Sequence, residues 1–139
     1  MNKEQTGALA QLERALNQVA TSGARLRGVQ GELFVTGAGK RRSPACHRME
    51  TEGVYHDLGE AGRAVDEAEA PLWDFDAKQR RGILALEAAL ARCDQSDLCL
   101  LGSASGLLAV EREWLEKSET LEDLHEVMEM VQDGGAWER

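Results

Sequence analysis

The sequence predicts an all-α protein: a long antiparallel, coiled-coil-like helical hairpin with about three further helices packed on it. Three observations carry that expectation. Leu9, Leu12, Leu16, Val19, Gly23, Leu26, Gln30 and Leu33 follow one another at alternating spacings of 3 and 4. That is the seam pattern of an α-helix with about 3.6 residues per turn. Val54, Leu58, Ala61, Val65, Ala68 and Leu72 repeat the pattern. Finally, the chain is 42% hydrophobic but only 4% aromatic, with two prolines. Its core must be built from Leu, Ala and Val, and β-branched residues are sparse, a mixture that favours helix over sheet. A length of 139 residues suits one domain, 1–139, with no second core.

Taken in order, helix one is expected from Asn2 to Leu33. Gly23, Gly28 and Gly31 weaken its second half, and a break near Thr21–Gly23 is open. Gln30 is polar within the seam, where such residues set register or mark fraying. Phe34 to Ser43 is a connector. Its TGAGK lacks the first glycine and the Ser or Thr of a phosphate-binding loop, so nucleotide binding is not expected. Ser43-Pro44 is a helix start. Helix two then runs to about Ala70, where Pro71 stops it. Helix three spans Trp73 or Asp74 to Cys93, through Ile83, Leu86 and Leu90. Helix four spans Asp97 to Lys117, with Gly102 and Gly106 forming a small-residue face for a close helix crossing. Helix five starts at Ser118 or Thr120 and ends at Gly134-Gly135.

Charge is unevenly distributed. Residues 1–48 hold eight Lys or Arg against three acids, whereas residues 49–139 hold eight against twenty-two. An acidic body of this kind repels nucleic acid and attracts basic surfaces. There is no run of about eighteen apolar residues for a transmembrane span, and no apolar signal region at the start. A cytoplasmic protein with reduced thiols is expected, although Cys93 and Cys99 flank a turn and could pair.

The sharpest candidate surface is on helix five. Glu119, Glu122, Glu126, Glu129 and Asp133 are spaced 3, 4, 3, 4, opposite the buried stripe of Leu121, Leu124, Met128 and Val131. Their mean separation is about 5 Å along a helix axis, similar to the spacing of charges on a nucleic-acid strand. No Lys or Arg occurs from Ser118 to Gly135, so helix pairs do not compensate these charges. The face is either a solvated one or a binding face for a basic partner. A second candidate is the basic tip of Lys40, Arg41, Arg42 and Arg48, which is either an ordinary turn or a contact for phosphate or an acidic partner.

Chemistry-bearing patterns are incomplete. Glu122-x-x-His125 has the spacing of a carboxylate-bridged metal site, but no second copy exists. Cys93-x5-Cys99 is not a zinc pair. Cys46 and His47 are adjacent and point apart on a helix. No catalytic residue, metal or cofactor is therefore expected, and the protein reads as a non-enzymatic interaction module. The seam of Leu9, Leu12, Leu16, Val19, Leu26, Leu33, Val54, Leu58 and Val65 closes either an internal hairpin or a homodimer.

Small size, acidic charge and helical architecture together resemble small phage-type inhibitors of host defence such as anti-CRISPR proteins. That resemblance implies a protein acting in the host-cell cytoplasm on a basic surface of a nucleic-acid-handling, CRISPR-type effector complex, possessing no motif of its own. The exposed anchor of such a contact would be Trp137, Trp73 or Phe34. Two other readings stand beside it. One is a helical dimerising scaffold or chaperone. The other is a regulator touching nucleic acid through the basic tip.

Overall fold

The first apolar stripe stays helical only as far as Thr21. In the computed structural model, which describes residues 1–37, 45–51, 53–57, 68–69, 71–118, 124 and 126–138, α1 spans Lys3–Thr21. Asn2 caps it: its side chain accepts from the Gln5 N–H at 2.8 Å, and Gln5 returns the contact to the Asn2 N–H at 3.0 Å, a reciprocal box. Gly23 ends it with φ +85°, the left-handed conformation that glycine adopts without penalty. Beyond that point the 3-4 spacing continues in sequence but not in space. Leu26 lies on β1 (Arg25–Val29) and Leu33 on β2 (Glu32–Gly37). Gln30 and Gly31 join these strands with φ of 50° and 80°, the two positive values of a tight hairpin turn whose twist matches its strands.

The all-α, coiled-coil hairpin is thus overturned: the protein is mixed α/β, with two four-stranded sheets among the described residues. The first sheet adds β3 (Ala45–Arg48), antiparallel to β2, and β5 (Ala68–Glu69), parallel to β3. Its order is β1-β2-β3-β5. Helix two is therefore absent where the structure describes it. Val54 is buried just before β4 (Tyr55–Asp57), while Leu58 and Val65 lie outside the described residues.

Helix three is present. After a 3-10 turn at Leu72–Asp74, α2 spans Ala77–Gln95 with Asp76 and Gln79 as its capping box. It runs antiparallel to α1: Arg92 donates to Gln11 Oε1 at 2.8 Å, and Gly82 sits against Val19. A Cβ on Gly82 would come within 3.3 Å of the Val19 Cα, so the small residue sets how closely the helices approach.

Helix four is replaced by a hairpin of β6 (Leu98–Ser103) and β7 (Gly106–Glu111), followed by the short α3 (Arg112–Lys117). The run Leu98-Cys99-Leu100-Leu101 is apolar on both sheet faces, as a strand covered on both faces requires. The end of the expected helix five also changes: 126–127 form a turn and β8 spans Glu129–Met130. The second sheet runs β4-β6-β7-β8.

One apolar cluster draws on α1, α2 and both sheets. It contains Leu9, Leu12, Leu16, Val19, Leu26, Leu33 and Val54. The expected seam residues that the structure describes therefore fill a mixed core. They are not available as an intermolecular coiled-coil seam.

The two sheets are clamped together by the C-terminal segment. The Leu26 N–H donates to the Ala136 carbonyl at 2.7 Å and the Glu138 N–H to the Leu26 carbonyl at 2.8 Å. This lays the segment against β1. Arg27 fixes it further through Glu138 at 2.7 Å. Trp137 then reaches across to the second sheet and donates to the Ser103 carbonyl at 3.0 Å. Its ring packs on Tyr55 with centroids 6.4 Å apart. Gly28 and Gly102 lie beside this pair, and a Cβ on either would overlap the Tyr55 hydroxyl and crowd the Trp137 ring at 2.9 and 2.8 Å. Tyr55 Oη donates to Asp57 Oδ1 at 2.5 Å, and Asp57 also accepts from the Gly31 N–H. Burial first, and Asp57 second, push the Tyr55 hydroxyl far above the usual phenol range.

Candidate protein-interaction surface

Alternation along β6 and β7 divides the second sheet into two faces. Leu98, Leu100, Leu107 and Ala109 point to the main core. Cys99, Leu101 and Val110 point outward into a smaller cluster with Leu124, flanked by the partly buried Leu108, Leu115, Val127 and Met128. The pairing register places His56, Leu101, Leu108 and Met130 in one cross-strand row from β4 to β8. Met130 is 50% exposed and Trp114 on α3 is 43% exposed. β8 ends its sheet, and its outer edge has no strand partner among the described residues.

Carboxylates lie on the elements that carry this face. Glu113 and Glu116 on α3 and Glu126 in the turn before β8 are exposed; Glu129 is exposed at the β8 edge, on the other side of the strand from Met130. Lys117 pairs with Glu113 at 2.6 Å and holds that carboxyl below its usual range. Arg112 is committed inward, donating to Asp94 Oδ1 at 2.6 Å, Asp97 Oδ1 at 2.8 Å and the Gly53 carbonyl at 3.2 Å. It ties the end of α2, the start of β6 and the approach to β4 together. The face can therefore combine an apolar centre, a strand edge unpaired among the described residues, and nearby carboxylates.

Of the expected acidic face, Glu119 and Glu122 lie outside the described residues. Glu126 sits in a turn, Glu129 on β8, and Asp133 in the loop before Gly134. These three do not share one helix face. Of the basic tip, Lys40, Arg41 and Arg42 lie outside the described residues; Arg48 ends β3, near Glu32 at 3.6 Å and over the Phe34 ring. Among the proposed anchors, Trp137 and Phe34 are buried and Trp73 is 66% exposed.

Glu122 and His125 of the metal-like spacing are likewise outside the described residues, among which no cluster of His, Cys, Asp and Glu could hold a metal ion. Cys46 is buried, while its neighbour His47 contacts Glu87 at 3.1 Å. Cys46, Cys93 and Cys99 carry no disulfide. Burial pushes the Cys93 thiol up to about 11 and raises Cys99 as well, with Arg112 opposing the latter. No described helix is long and apolar enough to cross a membrane. No protein-family model, curated protein or solved structure matches this chain.

Sequence reasoning missed the outer sheet face because it placed Leu98–Lys117 on one helix. The signal that identifies it is the pair of apolar runs at 98–101 and 107–110, separated by Gly102, Ser103, Ala104, Ser105 and Gly106.

Proposed function

We propose that the protein is a non-enzymatic interaction module of the scaffold or chaperone kind, which holds an extended, basic and partly apolar segment of a protein partner. The observation that carries this reading is the outer face of the second sheet, where the β8 edge, unpaired among the described residues, lies beside half-exposed Leu108, Met128 and Met130. An edge strand offers unpaired backbone groups to an added strand. Apolar side chains on the same face supply anchors. The nearby carboxylates and the net charge of −9 select a basic segment and speed its arrival. Inhibition of a nucleic-acid-handling complex is the special case in which that segment belongs to such a complex.

The test is affinity capture with tagged full chain, washed at two salt concentrations, with the captured protein identified and its bound segment mapped by protection from proteolysis. Met130→Asp and the pair Glu126→Lys with Glu129→Lys should each weaken capture at least about tenfold, a change of about 1.4 kcal/mol. The charge pair should also remove the salt dependence. Capture indifferent to all three substitutions, or protection of a folded domain instead of an extended segment, refutes the reading.

A further inference from the structure

The outward faces of α1 and α2 differ in kind. The exposed residues of α1 are polar or charged: Lys3, Glu4, Thr6, Arg14, Asn17, Gln18 and Thr21. α2 instead exposes Leu84, Ala88 and Ala91 in sequence-adjacent turns, with Leu84 48% exposed. Spacings of 4 and 3 keep these residues on one side of the helix.

Apart from Arg92 in its last turn, the charges of α2 run against its own dipole. Lys78, Arg80 and Arg81 occupy its N-terminal half, without an acid from Ala77 to Leu86. Glu87 and Asp94 lie in its C-terminal half. A helix N-terminus favours negative charge and a C-terminus positive charge, by about 0.3–1 kcal/mol per group. The Asp76 cap offsets this only in part. Lys78, Arg80 and Arg81 have no ion-pair partner among the described residues.

The geometry points to a second copy of this chain as the occupant of this face, docked with the two α2 helices antiparallel. A surface used twice about a two-fold axis must be complementary to itself. This one is, along its apolar centre and the flank of Arg80, when the axis passes midway between Leu84 and Ala88. Each Leu84 then sits on the partner's Ala88, a large side chain on a small one, and each Arg81 lies over the partner's Ala91. Arg80, Glu87 and Asp94 are seven residues apart in turn, so they line one flank of the helix. Like flanks meet across a two-fold axis lying in the interface, which places the Arg80 of each copy beside the Glu87 and Asp94 of the other. Helical side chains lean toward their own N-terminus, carrying Arg80 toward the partner's Asp94. A cleft of about 490 Å³ between β3 and α2, lined by Glu50, Glu87, Leu90, Ala91 and Asp94, with His47 bonded to Glu87, is open on that flank to receive the guanidinium. Arg48 also borders the cleft and is engaged by Glu32. This interface uses α2, not the leucine seam of α1, which is buried within one chain.

The experiment is the mass of the full chain by sedimentation equilibrium, from about 1 to 100 µM, with a charge swap. Wild type should be dimeric in the upper part of that range. R80E/R81E, and separately E50K/E87K, should each raise the dimer dissociation constant at least about tenfold. Mixed together, they should associate more tightly than either variant alone, because the mixed dimer joins opposite charges wherever positions 80 and 87 meet and keeps one native Arg80 on Asp94, leaving like charges only between the swapped position 80 and Asp94. Asp94 is left intact so that Arg112 keeps its partner. Should either charge variant lose its native circular dichroism, Leu84→Glu at an exposed position serves instead and should yield monomer. A monomeric wild type, variants that dimerise unchanged, a mixture no tighter than either variant alone, or a dimeric Leu84→Glu would each overturn the proposal. Capture of a partner by the outer face of the second sheet does not depend on this dimer.

Discussion

Replacing Trp137 with Ala removes the side chain that clamps the two sheets. The indole is 5% exposed, stacks obliquely on Tyr55 and donates to the Ser103 carbonyl. Truncating a buried aromatic costs about 3–5 kcal/mol, and a neutral hydrogen bond contributes about 1 kcal/mol net. Gly28 and Gly102 border the space and have no side chains with which to fill it, so the cavity should persist and the loss should fall near the upper values, about 4–5 kcal/mol. Domains of this size have about 5–15 kcal/mol in total. At roughly 3–4 °C per kcal/mol the melting temperature should fall by about 12–20 °C. Urea unfolding followed by far-ultraviolet circular dichroism measures this without relying on the deleted fluorophore. Trp73→Ala is the control: at 66% exposure it should change stability by no more than about 0.5 kcal/mol. A Trp137→Ala protein within about 1 kcal/mol of wild type, or a control that loses as much as the variant, would refute the clamp.

Two further outcomes follow from the same clamp and from the buried thiols. Gly28→Ala and Gly102→Ala each force a methyl onto Tyr55 and Trp137, so each should destabilise by at least about 1–3 kcal/mol and alter the near-ultraviolet aromatic signal; unchanged melting and spectrum would show that the sheets are spaced more loosely. The Cys93 thiol is raised from 9.0 to about 11, which means the folded state holds its proton more tightly than the unfolded chain. That stabilisation is complete below pH 9 and is lost as pH rises through about 11. The urea midpoint should therefore drop across that window, and Cys93→Ala should flatten the drop; a wild-type midpoint constant over that range refutes the assignment.

What the sequence discloses about this fold differs by segment for physical reasons. α1 and α2 are legible because each has a capping residue, an apolar stripe, and a polar stop, and local signals agree with burial. Leu26 and Leu33 mislead because their 3-4 spacing with the helix ahead of them is accidental. The decisive local facts are Gly23, which ends the helix in a left-handed conformation, and Gln30-Gly31, which turn the chain back on itself. The β6–β7 hairpin is hidden by leucine, a strong helix former placed in strands whose two covered faces make apolar residues continuous and erase the alternation of two. Glu126 and Glu129 were recognisable as an uncompensated charge excess, but not as a turn and an edge strand. The relation of that strand to Leu108 depends on a pairing that no local pattern encodes. Trp137 shows the same limit. Its position depends on Gly28 and Gly102, two small residues that lie on different sheets.

The pairing of Leu26 with Ala136 and Glu138 sets a condition on how the molecule is made. These partners are separated by 110 residues or more in the chain. During synthesis β1 must wait, with its outer edge uncovered, until almost all of the described sequence has emerged. Such distant closure slows folding and leaves a nascent chain with an exposed strand edge prone to pairing with its neighbours. Acidic groups in the later-made part then serve growing chains as well as finished ones, because mutual repulsion keeps those incomplete edges apart.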